Sequence, residues 1–141
     1  MSYIEELTTA LGKEKVLVDP AERFVYGADW SPRTPDEFLP PDVVILPRTT
    51  RDVQRTIKVA YEHGIPVTAG GGLTGMLGGA VPMFKGIYID TTTMNSVVEV
   101  DPKNQTIRVQ AGATLQEVND AVHPYDLWLP HQPESKWVST V

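Results

Sequence analysis

At 141 residues the chain is long enough for one compact domain that buries about two thirds of its unfolded surface, and its 41% hydrophobic and 21% charged content exclude a disordered or fibrous protein. A net charge of -6 leaves no basic face for nucleic acid, and the absence of cysteine removes disulfides, thiolate zinc sites and cysteine nucleophiles. The acidic start, MSYIEELTTALGKEK, does not read as a secretory signal, and no apolar run is long enough to span a bilayer.

From the N-terminus, Ile4, Leu7 and Leu11 recur at helical spacing and predict a helix over 2–11 that stops at Gly12. Residues 26–41, rich in proline and turn formers, read as an extended lead-in, so 1–40 is taken as an N-terminal helix with an extended lead-in and 41–141 as the functional domain, expected to be incomplete at its C-terminus. DVVILP predicts a strand covered on both faces. Thr50 is the expected N-cap of a helix to about His63, with Val53, Ile57 and Ala60 inward and Gly64 as its stop. A strand over IPVTA follows, and the right-handed crossover makes 43–46 and 65–68 parallel members of one sheet.

Directly after that strand comes PVTAGGGLTGMLGGAVP, Pro66 to Pro82, with six of the 11 glycines. Consecutive glycines reach positive φ freely, so their N–H groups can converge into an anion nest suited to phosphate, and Thr74 adds a hydroxyl. The position, at the C-terminal end of a parallel strand, is where open α/β sheets place ligands. No Gly-Lys-Ser/Thr follows, which excludes a Walker loop, and no helix follows Gly75 to complete a Rossmann fingerprint. A slack structural turn is the competing reading of the same glycines.

Beyond the loop, GIYIDTT predicts a strand and SVVEVDPKNQTIRVQAG a hairpin turning at 101–104. Thr114 and Glu117 have capping-box spacing for a helix over 115–122, after which the chain turns irregular. The fold class is therefore α/β leading into α+β, a small parallel β-α-β unit followed by antiparallel hairpins and helices.

Two stretches together, PDVVILPRTTRDVQRTIKVAYEHGIPVTAGGGLTGMLGGAVP and IYIDTTTMNSVVEVDPKNQTIRVQAGATLQEVNDAV, resemble the PCMH-type FAD-binding domain of the vanillyl-alcohol oxidase superfamily, nearest to the FAD-linked glycolate oxidase D subunit and D-lactate dehydrogenase group. The resemblance covers about 41–141. It implies an FAD-dependent oxidoreductase that oxidises a D-2-hydroxy acid by hydride transfer to the flavin, with an electron acceptor the sequence does not identify. By the same resemblance Gly70, Gly71, Gly72, Leu73, Thr74, Gly75, Gly78 and Gly79 hold the pyrophosphate. Pro133, Glu134, Ser135, Ser139, Thr140 and Val141, in a segment matching the start of a Pro-x-Ser motif, lie towards the flavin.

Ala69 stands where many members carry arginine, and Leu73 interrupts the usual glycine-to-threonine spacing. The loop contains no histidine, so the expected FAD is noncovalent. In the family the flavin domain continues past the equivalent of Val141 and a further domain supplies the catalytic residues, so none is assigned here. The rival expectation is a non-catalytic split or truncated subunit that self-associates or needs a partner subunit to complete its cleft. A cytoplasmic location, peripheral to the membrane at most, is expected.

Other candidates point elsewhere. His63 reads as a polar residue at a helix end, and His123 with His131 lacks a metal-ligand spacing, so no metal is expected. Asp36 and Glu37 read as a solvated pair. Trp30, Trp128 and Trp137 read as core or interface aromatics, with Trp137 inside the second flavin segment.

Overall fold

A computed structural model of the chain describes residues 1–32 and 37–141. The expected α/β-to-α+β architecture is present, built as a four-stranded sheet unit and a two-stranded hairpin unit joined by residues 91–96.

The first unit opens on α1 (Tyr3–Leu11). The Ser2 hydroxyl accepts from the Glu5 N–H while the Glu5 carboxylate accepts from the Ser2 N–H, a closed capping box. Leu7 and Leu11 face inward. Two elements that the sequence did not suggest follow, β1 (Val16–Leu17) and α2 (Pro20–Phe24). β1 is too short to carry a periodic signal and exists by antiparallel pairing with β2 (Val43–Ile45). α2 starts on an Asp19 cap with Pro20 in its first turn, and a 3-10 turn over Val25–Gly27 continues it. The start of the supposed extended lead-in is therefore helical.

The sheet order is β1-β2-β4-β3, with β3 (Val67–Gly70) and β4 (Ile87–Asp90). β2 and β3 both run parallel to β4, as the crossover required, but β4 is inserted between them. Val43, Ile45, Ile87 and Ile89 point to one face, where they pack with Leu7, Leu11, Val16, Val59 and Ala60. Burying each aliphatic side chain there contributes roughly 1.5–3 kcal/mol. Strand alternation sends Tyr88 to the opposite face, against Tyr26 at 5.1 Å between ring centroids.

The crossover helix α3 (Thr50–His63) is capped one residue earlier than expected, by Thr49, whose hydroxyl accepts from the Asp52 N–H. Its buried positions are Asp52, Thr56, Val59 and Ala60, and Ile57 is 46% exposed. The expected stripe was drawn from apolar residues alone. The true inward face includes polar residues that bring their own partners: Thr56 Oγ1 donates to the Asp52 carbonyl, and the Asp52 carboxylate accepts from Lys15 and from the N–H groups of Arg48 and Thr49. Gly64 ends the helix in the left-handed region.

The second unit is the antiparallel hairpin β5 (Val97–Asp101) and β6 (Thr106–Val109), covered by α4 (Leu115–Val122). The Thr114–Glu117 box caps α4, and Leu115, Val118 and Val122 are buried. The final segment folds back over the start of this helix. Leu115 N–H donates to the Ser139 carbonyl at 2.9 Å and Gln116 N–H to the Lys136 carbonyl at 3.1 Å, which satisfies first-turn donors that α4 itself leaves without partners. A bridge between Thr114 and Thr140 and a bond from Val141 N–H to the Ala113 carbonyl complete the docking. Among the described residues no helix is long and apolar enough to cross a membrane.

Candidate functional site

Gly70 closes β3 beside Asp90 of β4, and the chain leaves the sheet as an open loop. A Cβ built on Gly70 would strike the Tyr88 hydroxyl, one on Gly71 would strike Thr140 Oγ1, and one on Gly72 would strike the Val138 carbonyl oxygen. Three successive positions are therefore bare because Tyr88 and the segment 138–140 occupy the space a side chain would need. This corrects the expected reason for the glycines. Between Gly70 and Gly79 only Leu73 (φ 55) and Gly78 (φ 76) adopt positive φ, so close approach, rather than left-handed backbone, demands glycine at 70–72. Gly75 and Gly79 have no such constraint: a Cβ at Gly79 meets nothing within 4 Å.

The close approach joins the two sets of residues expected at the site, which are far apart in sequence. Thr74 Oγ1 lies 2.8 Å from Ser139 Oγ, and Ser139 Oγ lies 2.8 Å from Ser135 Oγ. Thr140 packs on Gly71. Of the other expected contacts, Pro133 is half-buried, Glu134 is exposed, and Val141 is 53% exposed.

The loop is rich in available donors. Among the described residues, no backbone N–H from Gly71 to Ala80 closes a hydrogen bond of full geometry with the protein. Every residue of that stretch is at least partly exposed, so water or a ligand can reach the stretch to satisfy N–H groups that the protein leaves unbonded. A run of main-chain donors beside three linked hydroxyls, with no cationic side chain in the stretch itself, is suited to phosphate oxygens.

Beneath the loop lies a polar group that sequence reading missed. Tyr26 Oη donates to Asp90 Oδ2 at 2.8 Å, and the Asp90 Oδ1 accepts from the Thr92 N–H and hydroxyl. Burial first, and then the bond to Asp90, raises the pKa of Tyr26. Burial, followed by the charges of Asp90 and Asp29, does the same for Tyr88. Both hydroxyls stay protonated. Asp29 Oδ1 accepts from the Ser31 N–H at 2.9 Å and the Ser31 hydroxyl at 2.5 Å. Burial pushes the Asp29 carboxyl up, but Ser31 and the nearby N–H groups of Ala80 and Gly78 outweigh it and hold the pKa below the usual carboxylate value. Those two loop N–H groups approach without completing bonds, and Asp29 Oδ2 and Tyr88 Oη are buried with no full-geometry partner. Asp29 sits in the stretch read only as turn formers, and no local motif marks it.

The remaining candidates lie away from this place. His63 Nε2 is 2.9 Å from Glu6 Oε2, tying α3 to α1. His123 and His131 are exposed, and no group of three or more histidines and carboxylates suited to a metal occurs among the described residues. Trp30, Trp128 and Trp137 are each at least 66% exposed, so of the two expected roles, core or interface aromatic, the core one does not hold for any of them. Asp36 lies outside the described residues. Two grooves, of about 440 Å³ beside Trp128 and about 680 Å³ beside α1, include no loop residue. They lack the convergent donors of the loop, which therefore remains the candidate site.

The model of the family described as FAD binding domain matches residues 41–141. The glycolate oxidase subunit GlcD of Bacillus subtilis is 33% identical over 137 residues, covering 97% of this chain and 28% of the relative. The D-lactate dehydrogenase of Archaeoglobus fulgidus is 34% identical over 136 residues, covering 94% and 29%. The chain thus spans under a third of the length of these relatives. Among solved structures, an alkyldihydroxyacetonephosphate synthase superposes with a TM-score of 0.85 at 24% identity, covering 98% of this chain and 30% of the other. The 4-ethylphenol oxidase of Gulosibacter chungangensis superposes at 0.76 with 31% identity, covering 88% and 24%.

Proposed function

This chain belongs to the FAD binding domain family over residues 41–141, and from that premise we propose that it is the cofactor-holding part of an oxidoreductase acting on a D-2-hydroxy acid of the glycolate or D-lactate type. The observation that carries the reading is the joining of Gly70–Thr74 to Ser135–Thr140 in one donor-rich cradle. The cradle fits a dinucleotide pyrophosphate because its donors are neutral backbone N–H groups and hydroxyls, fixed by the packing of Gly71 and Gly72 on Thr140 and Val138.

In this assignment the N–H groups of Gly71, Gly72, Leu73, Thr74 and Gly75 bind phosphate oxygens, with Gly78 and Gly79 on the return limb. Pro133, Glu134, Ser135, Ser139, Thr140 and Val141 flank the flavin end, and binding is noncovalent. FAD, when bound, supplies the two-electron acceptor for the hydride leaving the α-carbon of the hydroxy acid. The chain's own residues bind and orient: Ser139 holds Thr74 in place, and Tyr26 and Tyr88 close the floor as neutral groups.

A second reading, that the chain binds and orients but needs another polypeptide to react, is favoured by the apolar side chains around the cradle. Met76, Leu77, Trp137 and Val138 are 67%, 97%, 66% and 55% exposed. A D-lactate dehydrogenase and a protein named as a subunit both stand among the relatives. Anaerobic mixing of the FAD-loaded chain with glycolate, D-lactate and L-lactate separates the readings. Bleaching of the flavin absorbance by the D-acid or glycolate, and not by L-lactate, supports the catalytic reading. A loaded chain bleached by none of them supports the second reading.

A further inference from the structure

β4 ends in Asp90 and runs into three consecutive threonines, Thr91–Thr93, that fold as a 3-10 turn. Threonine suits such a place because its hydroxyl can bond groups close by in the chain. Each hydroxyl takes a different acceptor: Thr91 Oγ1 donates to the Gly70 carbonyl at 3.2 Å, Thr92 Oγ1 to Asp90 Oδ1 at 2.6 Å, and Thr93 Oγ1 to the Pro47 carbonyl at 2.5 Å. The turn is itself fixed on several sides. Tyr26 Oη donates to Asp90 Oδ2, the Met94 N–H donates to the Thr91 carbonyl, and a Cβ built on Gly112 would strike that same carbonyl oxygen.

Covalent geometry carries the Thr91 bond into the glycine loop. The Gly70–Gly71 peptide is trans and planar, so its C=O and N–H point in opposite directions. A Gly70 carbonyl held on Thr91 therefore directs the Gly71 N–H away from Thr91. That N–H, the first of the loop donors, closes no full-geometry bond with the protein among the described residues. With glycine on both sides of the peptide, no Cβ restrains its rotation. The pairing of β3 with β4 ends at Gly70 and Asp90, so the ladder does not fix the chain beyond that pair.

We propose that Thr91 is a positioning residue for the cofactor: its hydroxyl holds the Gly70–Gly71 peptide in the orientation that presents the Gly71 N–H to a phosphate oxygen. This rests on the reading of the loop as a pyrophosphate site. Thr91 acts through the Gly71 N–H and not by touching the ligand. Without its hydroxyl the peptide turns between two orientations, and the measured affinity falls with the fraction of chains in the productive one.

Three variants of the 141-residue chain test this by FAD titration beside urea denaturation. Thr91→Val keeps the shape and removes the donor, and should weaken FAD about fivefold, the order of one neutral hydrogen bond. Thr91→Ser restores the donor and should return the affinity to the wild-type value. Thr93→Val removes a hydroxyl from the same turn, whose acceptor is Pro47 and not the loop, and should lower stability as Thr91→Val does while leaving FAD affinity unchanged. Should Thr91→Val fail to fold, Thr91→Ala carries the same comparison. Wild-type affinity in Thr91→Val, an equal loss in Thr93→Val, or no recovery in Thr91→Ser overturns the proposal.

A second readout needs no cofactor. In NMR spectra of the free chain, Thr91→Val should move the Gly70 carbonyl carbon and the Gly71 amide resonances, and Thr93→Val should leave them in place. Unmoved resonances in Thr91→Val also overturn the proposal. A folded wild-type chain that does not bind FAD overturns the proposed function, and the cofactor role of Thr91 with it. Wild-type binding with an unaffected Thr91→Val overturns the role of Thr91 alone.

Discussion

Ser139 Oγ lies 2.8 Å from Thr74 Oγ1 although the two residues are 65 positions apart, and the same hydroxyl lies 2.8 Å from Ser135 Oγ. One buried side chain therefore fastens the loop after β3 to the segment docked on α4. Ser139→Ala removes both contacts and leaves two hydroxyls to find water. We expect a loss of about 1–2 kcal/mol in unfolding free energy and a weaker FAD complex, measured by urea denaturation and flavin titration.

The glycines should separate into two classes. Gly72→Ala places a Cβ on the Val138 carbonyl, which is backbone and can move only by displacing the docked segment. It should cost about 2–3 kcal/mol and most of the FAD affinity. Gly79→Ala enters open space at a position with no positive φ and should change stability by less than about 0.5 kcal/mol. Equal effects at the two sites, in parallel melts, would refute the close-approach account of the loop.

Tyr88→Phe tests the floor of the site. The Tyr88 hydroxyl is fully buried and has no hydrogen-bond partner among the described residues, so its removal deletes an unsatisfied polar atom and keeps the ring. Stability should be unchanged or higher by about 1 kcal/mol in thermal unfolding, whereas a marked loss would reveal a bond to that hydroxyl in solution.

Asp52 sets a pH dependence with a definite sign. Burial raises its carboxyl pKa, but the Arg48 N–H, Lys15 and Thr49 together hold it below the ordinary value. A group whose folded pKa is lowered stabilises above its unfolded pKa, about 3.9, and loses that contribution as pH falls through the folded value. Asp52→Asn should therefore be less stable than wild type near neutral pH, by about 2–3 kcal/mol, and the gap should narrow below about pH 4. Melting curves of both proteins from pH 7 to pH 2.5 check this.

Local rules made most of the framework readable. Gly12, Gly64 and the pair Thr114 with Glu117 act over three or four residues, and the helices they delimit stand within a residue or two of their expected ends. The hairpin turn shows similar locality, with Asn104 N–H bonded to Asp101 Oδ1. β1 depends on a partner strand about 30 residues away, and no pattern in two residues can announce that. The inward face of α3 was misplaced because Asp52 and Thr56 are polar, and their suitability for burial depends on Lys15 and on backbone groups. At the site, the sequence drew attention to the glycine run and to 133–141 separately. Their contact belongs to tertiary packing that composition does not encode.

The most direct test of the central claim is a titration of the folded 141-residue chain with FAD, FMN and ADP, followed by flavin fluorescence and by competition. The cradle described here predicts saturable FAD binding, displacement by ADP, which shares the pyrophosphate, and much weaker binding of FMN, which lacks it. A chain that unfolds cooperatively yet fails to bind FAD, or binds FMN as well as FAD, would contradict it.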